Sequence, residues 1–330
     1  MKRFNISHEY DCDLWQKGVY NAQSETISQI CAFLNPIRQR AEEALGCESE
    51  LKLSSGYVLF YYLSDLAESV LDFAQAVQDE KKPLGFLEGS LKRLFNFDDF
   101  KKIVLSHGLV PINAMPDAAH HHKSDAVYVF ENRLRLGIVQ LISKTETAEK
   151  IKSDVLSILK DGLGEVPSSF SFSYLAGGEV KTIENTNAKE FYNTYCNTEL
   201  DGYAVYETDE KIKLAAADMI KNGEQVVVLA DTRHQSNQML GILDTDFIDD
   251  ADLFGADYSM SKEEKLRCGI IKPCAYLSLD GVSFGENGQP LRFKAQDSHG
   301  SETGADGHYT MSAKWFDEYV VSAIVNKKLL

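Results

Sequence analysis

The chain has 330 residues, of which 44% are hydrophobic, and 34 Lys and Arg face 50 Asp and Glu, which gives a formal net charge of −16. This length and apolar content are enough for a large core in one domain or two lobes, and they exclude an intrinsically disordered chain. The negative charge argues against nucleic acid and anionic membrane surfaces as partners.

The N-terminus and the cysteines predict a cytoplasmic protein. Met1-Lys2-Arg3 is followed by polar and acidic residues, which do not form the apolar core of a signal peptide, and no run approaches the length of a membrane-spanning helix. Six cysteines are spread without Cys-x-x-Cys spacing. That distribution is typical of reduced thiols rather than of a disulfide framework or a zinc site.

The first predicted element is an amphipathic helix over residues 26–45. Its apolar residues recur at spacings of three and four, namely Ile27, Ile30, Cys31, Leu34, Ile37, Ala41 and Leu45. Ser24-Glu25-Thr26 supplies capping residues at the start of the helix. A helix N-terminus concentrates unpaired N–H groups, which suit a nucleophile or an anionic intermediate, but an ordinary core helix begins in the same way.

Further helices are predicted along the first half of the chain. The same periodicity and the flanking Ser, Gly and Pro residues place them at 56–78, 84–94, 98–107, 126–143 and 147–163. Gly108 closes the third of them. Together with the first helix, these segments predict a helical lobe.

No cofactor is predicted, and neither of two candidate stretches has the pattern of a metal site. His120, His121 and His122 form the most metal-like cluster, but adjacent histidines in a Pro-flanked segment cannot all face one ion. The acidic stretch from Asp244 to Asp257 lacks the spacing of a calcium-binding loop. Solvated loops are therefore predicted for both stretches.

The second half of the chain becomes mainly β. A strand is predicted at Phe170 to Tyr174, and Asn187 and Asp209 are predicted to cap helices that end near Tyr195 and Gly223. Later strands are predicted at 226–230, 270–279, 291–296, 308–311 and 320–325. This order predicts one α+β domain with a mainly helical lobe over 1–200, including a helical insertion, a mainly β lobe over 201–330 and a cleft between them.

Several stretches form an ordered set of motifs. The C-terminal part contains Arg292-Phe-Lys-Ala-Gln-Asp-Ser-His-Gly300 and Lys314-Trp-Phe-Asp-Glu-Tyr-Val320, and the first helix contains Ala32-Phe-Leu-Asn-Pro-Ile-Arg38. Gly108-Leu-Val-Pro111 and Lys189-Glu-Phe-Tyr-Asn193 lie between them. With these motifs the chain resembles the papain-like bleomycin hydrolase and aminopeptidase C family of cysteine peptidases from about Val19 to its end. The resemblance implies a papain-like fold with two lobes.

The resemblance also implies where the catalytic residues would stand. Ser28 takes the place of the nucleophilic Cys, Cys274 that of the base His, and Asp297 that of the Asn that orients the base. Ala22 replaces the Gln that donates to the oxyanion. These four positions are therefore vestigial, and none of the family's catalytic side chains is retained.

The substitutions predict a catalytically inactive homologue. Acyl transfer needs an oriented base, and a thiol at position 274 has no second nitrogen with which to move a proton. Leu94-Phe95-Asn96-Phe97 stands where the family has Gly-Gly-Gln-Trp, so Leu94, Phe95 and Phe97 are predicted to form a cleft wall that crowds an extended ligand. We expect a binding or scaffold protein with a peptide or protein partner.

The expected assembly is a monomer or a small homo-oligomer. The family often forms hexameric rings, but the chain lacks the family's long N-terminal lead and its C-terminal arm.

Two alternatives are open from the sequence. In the first, a rewired hydrolase or acyl transferase, acting as a cysteine-peptidase-like aminopeptidase, uses Ser28 or Cys274 with His299 as a substitute base, because Asp297 and His299 would alternate onto one strand face. In the second, Cys274, Asp297 and His299 hold a metal ion in the cleft. The distances from His299 to Ser28 and to Cys274 would separate these readings.

Overall fold

The computed structural model describes most of the chain, namely residues 7–14, 16–22, 25–79, 95–116, 147–248 and 259–330, and positions 136, 140 and 255. The predicted helix at 84–94, nearly all of that at 126–143, the three adjacent histidines and Leu94 lie outside the described residues. The chain divides into two compact units. The β-rich unit consists of Met1–Asn21, Cys31–Gln39 and Thr198–Leu330, and the helical unit of Ala22–Ile30 and Arg40–Asn197.

Long amphipathic helices build the helical unit. They span Ser55–Asp79, Phe97–His107 and Ala148–Leu163, within one residue of the predicted ends. Thr147 caps the third helix, and Gly108 ends the second with a positive φ of 79°. The apolar face of the third helix is buried at every fourth residue, at Ile151, Val155, Leu159 and Leu163.

A β-hairpin completes the helical unit. Strands β2, Phe170–Ala176, and β3, Glu179–Thr186, pair antiparallel. Gly177 and Gly178 make the turn with φ of 63° and 73°, values that suit a tight hairpin turn. The β2 strand was predicted, whereas β3 was not, because nearly all of its side chains are exposed and it lacks an apolar alternation. A short helix, Ala188–Phe191, then begins at the predicted Asn187 cap and continues as a π-helix, Tyr192–Cys196.

A mixed sheet organises the β-rich unit. Among the described residues its nine strands are β1 Cys12–Asp13, β4 Tyr203–Glu207, β5 Val226–Ala230, β6 Ser236–Asn237, β7 Ile242–Leu243, β8 Ala275–Phe284, β9 Pro290–Gln296, β10 His308–Ser312 and β11 Val320–Asn326. Eight of them follow the order β4-β11-β5-β8-β9-β10-β7-β6, and β1 pairs with β8. All pairs are antiparallel except β10 with β7. The predicted α+β class is confirmed.

Helices pack against this sheet. Glu210–Lys221 begins at the predicted cap Asp209, and Ala313–Tyr319 joins β10 to β11. A six-residue helix, Lys262–Arg267, precedes β8. Their apolar residues share a core with the strands, including Ile220, Val228, Leu279, Phe293, Trp315 and Phe316. In the described part of the chain, no helix is both long and apolar enough to cross a membrane.

Two strand ends differ from the prediction in ways that affect the site. The strand predicted to begin at Ile270 begins at Ala275, because Pro273 has no N–H for a ladder and Ile270 is exposed. Strand β9 ends at Gln296. The expectation that Asp297 and His299 alternate on one strand face is therefore wrong, since both residues follow the strand.

The first helix, Glu25–Leu45, confirms the prediction and contains Pro36. A proline lacks an N–H and leaves the carbonyl four residues earlier without its helical donor. That carbonyl belongs to Ala32, and the hydroxyl of Ser278 on β8 donates to it at 2.9 Å. The Asn35 side chain donates in turn to the same hydroxyl oxygen at 3.2 Å. The sheet therefore supplies the hydrogen bond that the proline removes.

Candidate functional site

Ser28 and Ala22 both lie in the helical unit, near the start of the first helix. The helix begins at Glu25, so Ser28 stands in its first turn and Ala22 precedes it. Both side chains are buried. The methyl group of Ala22 offers no hydrogen-bond donor. The start of this helix therefore has backbone N–H groups and a serine hydroxyl as polar groups, but position 22 has no amide side chain that could donate a hydrogen bond.

Cys274 stands immediately before β8 in the β-rich unit. Its backbone N–H donates to the carbonyl of Ala230 at 3.0 Å, which continues the pairing of β8 with β5. Its Sγ lies 3.8 Å from Asp231 Oδ1 and 3.8 Å from Thr232 Oγ1. The thiol is therefore held at the end of β5, beside a carboxylate.

Asp231 is the centre of this group. Its carboxylate is buried and accepts two hydrogen bonds from Arg233, Nε to Oδ1 at 2.8 Å and Nη2 to Oδ2 at 2.6 Å. The backbone N–H of Lys272 donates to Oδ2 at 2.7 Å. Burial alone would raise the pKa of Asp231, but these hydrogen bonds outweigh it and hold the pKa below its ordinary value. Asp231 is therefore ionised and paired with Arg233.

Asp297 and His299 form a second group in the same unit. His299 Nδ1 lies 2.5 Å from Asp297 Oδ1. The hydroxyl of Tyr309 donates to the other carboxylate oxygen at 3.0 Å, and the backbone N–H of Asp297 donates to the carbonyl of Gly307. A β-bridge joins Asn21 to His299. The carboxylate is therefore held from two sides and orients the imidazole.

The electrostatics of this group favour a charged imidazole. The hydrogen bond with Asp297 raises the pKa of His299 above its ordinary value, against the opposing effect of burial. Burial and the charge of Asp297 raise the pKa of Tyr309, which therefore stays protonated and donates. About half of the His299 side chain is exposed, at 49%. When the imidazole is neutral, with its proton on Nδ1, Nε2 carries the lone pair that a general base needs.

The two groups do not share their key residues. Among the described residues of the β-rich unit, the side-chain hydrogen bonds of Cys274 go to Asp231 and Thr232, whereas those of Asp297 go to His299 and Tyr309. The positions that the resemblance assigns to the base and to its orienting residue are thus not hydrogen-bonded to each other. The imidazole that is hydrogen-bonded to Asp297 belongs to His299, two residues further along the chain.

The proposed metal ligands do not come together. Across the described part of the chain, no group of three or more His, Cys, Asp or Glu side chains could hold a metal ion. The alternative of a metal site made by Cys274, Asp297 and His299 is therefore wrong, because Cys274 packs with a different carboxylate from the one that binds His299.

Phe95 and Phe97 lie in the core of the helical unit. Both are buried, and the Phe95 ring packs edge-on against Tyr62, with the ring centroids 4.9 Å apart. Asn96 between them caps the helix that follows, since its side chain accepts from the backbone N–H of Asp99. The two rings thus serve the packing of this unit, and a wall facing a ligand stays a prediction.

Sequence reasoning missed Asp231, Arg233 and Tyr309. Asp231 and Arg233 directly follow the buried strand that was predicted at 226–230, and polar residues at a strand end are a signal that could have identified them. Tyr309 lies within the strand that was predicted at 308–311. Its hydroxyl becomes visible as a partner of Asp297 only in three dimensions.

Comparisons with known proteins agree on one family. The sequence profile of the peptidase C1-like family matches residues 3–209 and 204–330. The chain is 27% identical to aminopeptidase C of Listeria monocytogenes over 370 aligned positions, which cover 98% of the chain and 82% of the relative. It is 28% identical to aminopeptidase E of Lactobacillus helveticus over 374 positions, with 98% and 84% coverage.

A solved structure shows the same fold. The chain superposes on the crystal structure of PepW from Lactobacillus rhamnosis with a TM-score of 0.82 at 22% identity, over 98% of this chain and 83% of that one. The papain-like fold that the motifs implied is therefore confirmed.

Proposed function

The chain belongs to the peptidase C1-like family, and we propose that it is a member that has lost peptidase chemistry and binds a peptide or a protein partner. One observation carries the proposal. Cys274 stands at the position of the base, and its thiol contacts Asp231. Asp297 stands at the position of the orienting residue, and its carboxylate contacts His299 and Tyr309 instead of Cys274. A nucleophile without an oriented base keeps an unreactive hydroxyl or thiol.

The other two positions support the same conclusion. Ser28 replaces a thiol nucleophile by a hydroxyl, which depends more strongly on a base for activation. Ala22 cannot donate to an oxyanion, and the loss of one such donor costs on the order of 10²-fold in rate or more. Because these losses affect different steps of one reaction, we infer that binding rather than turnover is the retained property.

The proposed ligand is a peptide segment. The relatives are named aminopeptidases, and a family member that keeps their fold without their chemistry retains surfaces shaped for peptides. We propose that the protein acts in the cytoplasm as a monomer or small homo-oligomer. Its six cysteines are free thiols, which supports a reducing compartment.

Hydrolysis of aminoacyl aminomethylcoumarin amides by the purified protein tests this proposal. We expect fluorescence release at the rate of the buffer blank, because the base and the oxyanion donor are both replaced. Ser28→Ala is the matched variant, since it removes one buried hydroxyl and keeps the helix. Turnover by the wild type that disappears in Ser28→Ala would overturn the proposal.

The Asp297–His299 pair favours a second candidate, a hydrolase in which His299 is the general base. In such a reaction, Nε2 takes a proton from water as the water oxygen bonds to the carbonyl carbon of an ester. The imidazole then gives this proton to the oxygen of the leaving alcohol as the bond between that oxygen and the carbonyl carbon breaks. The 2.5 Å contact between Asp297 and Nδ1 supports this role, since it holds the imidazole in the required tautomer.

Hydrolysis of p-nitrophenyl acetate separates the two candidates. A general base contributes about 10²- to 10⁴-fold, so the second candidate predicts a loss of that size in His299→Gln and a smaller one in Asp297→Asn. His8→Gln controls for the background of an exposed imidazole. Equal rates in the wild type, His299→Gln and His8→Gln would exclude the hydrolase and leave the binding protein.

A further inference from the structure

The loop that follows β5 holds an arginine side chain in one orientation. Asp231, which is fully buried, binds one edge of the Arg233 guanidinium through Nε and Nη2. Nη2 also donates to the backbone carbonyl of Lys272 at 3.1 Å. Three of the five N–H groups of the guanidinium are therefore bound to oxygen atoms of the protein.

The two N–H groups on Nη1 remain. Among the described residues, the side-chain hydrogen bonds of Arg233 to oxygen are those three, so Nη1 has no oxygen acceptor there. The guanidinium also lies beside the thiol of Cys274, which is a weak acceptor. About half of the Arg233 side chain is exposed, at 53%. Asp231 thus fixes one edge of the guanidinium, and the opposite side can still donate to a ligand.

The backbone of this loop is also held in place. The N–H of Asp231 donates to the carbonyl of Tyr319 at 3.1 Å, and the N–H of Arg233 donates to Asp231 Oδ1 at 3.2 Å. The indole N–H of Trp315 donates to the carbonyl of His234 at 3.0 Å. A side chain that is fixed before binding loses little conformational entropy when a ligand binds to it. Arg233 is therefore preorganised as a donor.

The charges around the guanidinium suit an anionic ligand. In the described part of the chain, Asp231 is the one acid that pairs with Arg233, and the guanidinium balances its charge. Lys272, whose backbone contacts both side chains, is exposed and adds a second positive charge. The chain as a whole has a formal net charge of −16, which repels anions at long range. An anion that binds this protein therefore needs a local cationic group of this kind.

We propose that Arg233 is an anchor for a carboxylate of the bound peptide. This role rests on the proposed function, since it takes a peptide as the ligand. Cys274 stands at the position of the base, so a peptide at the candidate site would lie beside this thiol and beside the guanidinium next to it. A guanidinium binds carboxylates through charge-assisted hydrogen bonds. The carboxylate belongs either to the C-terminus of the peptide or to an aspartate or glutamate side chain.

An ion pair with a purely structural role would also place Arg233 against Asp231, but it makes no use of Nη1. The two roles differ in one measurable property, the effect of ligand charge on affinity. With a structural pair alone, anionic and neutral peptides bind equally well. With an anchor, the anionic peptide binds more tightly, and Asp231 is the residue that positions the anchor.

NMR titration of the full chain with three peptides tests the anchor. N-acetyl-trialanine carries a negative charge at its C-terminus, its C-terminal amide carries none, and N-acetyl-Ala-Glu-Ala amide carries one on a side chain. We expect at least one charged peptide to bind the wild type about fivefold more tightly than the neutral amide, the size of effect of a partly exposed charge pair. The charged peptide that binds more tightly identifies the source of the carboxylate.

Arg233→Met should remove this preference and leave the affinity for the neutral amide unchanged. Arg267→Met is the matched control, because Arg267 is an exposed arginine on the helix before β8, and it should keep the preference. Circular dichroism at neutral pH checks that Arg233→Met is folded, and the comparison of peptides on the wild type needs no variant.

Equal affinity of the wild type for the charged and neutral peptides, or a preference that survives in Arg233→Met, would overturn the anchor and leave the peptide-binding protein in place. Binding of none of the three peptides would overturn the anchor and also count against peptide binding. Turnover in the aminomethylcoumarin assay, by contrast, would overturn the proposed function without bearing on the preference for a charged peptide.

Discussion

Asp231 and Asp297 each directly follow a strand of the sheet, and the side chains that bind their carboxylates respond differently to pH. Asp231 is held by the guanidinium of Arg233, which keeps its charge at all pH values of interest, whereas Asp297 is held by an imidazole and a phenol. The first pair is therefore constant near neutral pH, and the second changes with pH. A pH-dependent property of this region would arise from His299 rather than from Asp231.

At this scale we predict that Asp297→Asn lowers the pKa of His299. The carboxylate is the main cause of the raised pKa, so its neutral isostere should bring the pKa back toward the ordinary value of 6.5 or below it. NMR titration of the His299 ring protons measures the change. His8, which is hydrogen-bonded to Thr310 instead, is the internal control.

The same pair contributes to stability with a definite sign. A histidine whose pKa is raised by folding adds stability below its unfolded pKa, and this contribution is lost as pH rises through the folded pKa. The difference in unfolding free energy between the wild type and His299→Gln should therefore shrink from pH 5 to pH 9. A difference that grows over this range would contradict the assignment of the hydrogen bond.

Asp231 leads to the opposite pH dependence. Its pKa is lowered by folding, so its contribution is present above the unfolded pKa and lost as pH falls through the folded pKa. We predict that Arg233→Met moves the midpoint of acid unfolding, followed by circular dichroism, to higher pH. Lys314→Met is the control, because its ion pair with Asp246 is exposed. Equal midpoints in the two variants would show that Arg233 does not hold Asp231 in solution.

Among the elements, the first helix relies on a strand of the sheet for one of its hydrogen bonds. Pro36 leaves the Ala32 carbonyl to the hydroxyl of Ser278. We predict that Ser278→Ala lowers the free energy of unfolding by about 1–3 kcal/mol, since it leaves a buried carbonyl without a donor. In a Pro36→Ala background the residue 36 N–H can donate to Ala32, so the same change should cost less.

Urea unfolding of the four proteins in this double-mutant cycle measures the coupling. We expect a coupling of about 1 kcal/mol between positions 36 and 278. Asn35 also loses an acceptor in Ser278→Ala, but it does so in both backgrounds, so its effect cancels. Additive effects would show that the serine hydroxyl does not replace the missing helical donor.

The elements differ in how far the sequence predicts them. Helices with a long apolar stripe, such as Ser55–Asp79 and Ala148–Leu163, were predicted to within one residue, because the stripe and the caps are local signals. Strand β3 and the helix Lys262–Arg267 were missed, because the former is exposed and the latter has no buried residue. Both are held by partners that a local pattern does not reveal.

For the candidate site, the motifs drew attention to Cys274 and Asp297, but they did not predict the side chains that these two residues contact. The pairing of Asp297 with His299 was considered only as strand alternation, whereas it arises in the segment after β9. Asp231 lies more than forty residues before Cys274 in the sequence and meets it because β5 pairs with β8. Contacts made by strand pairing depend on register, which no local spacing determines.

For the whole molecule, we predict a sedimentation mass of one or two chains. A net charge of −16 opposes self-association at low salt through like-charge repulsion. Sedimentation velocity at low and at high salt measures the mass, and any dimer should increase with salt because the repulsion is screened. A mass near six chains at low salt would refute the expectation of a small assembly.

The hydroxyl that serves the first helix also has a consequence for the order of folding. Ala32 and Ser278 are 246 positions apart in the chain. The hydrogen bond to the Ala32 carbonyl therefore cannot form until β8 has paired into the sheet. Contacts between such distant positions form late, because closing a long loop costs entropy before any contact rewards it. Ser278→Ala should therefore accelerate unfolding and leave the folding rate nearly unchanged. Because of the proline, the Ala32 carbonyl of the first helix gains its hydrogen-bond donor only when β8 is in place.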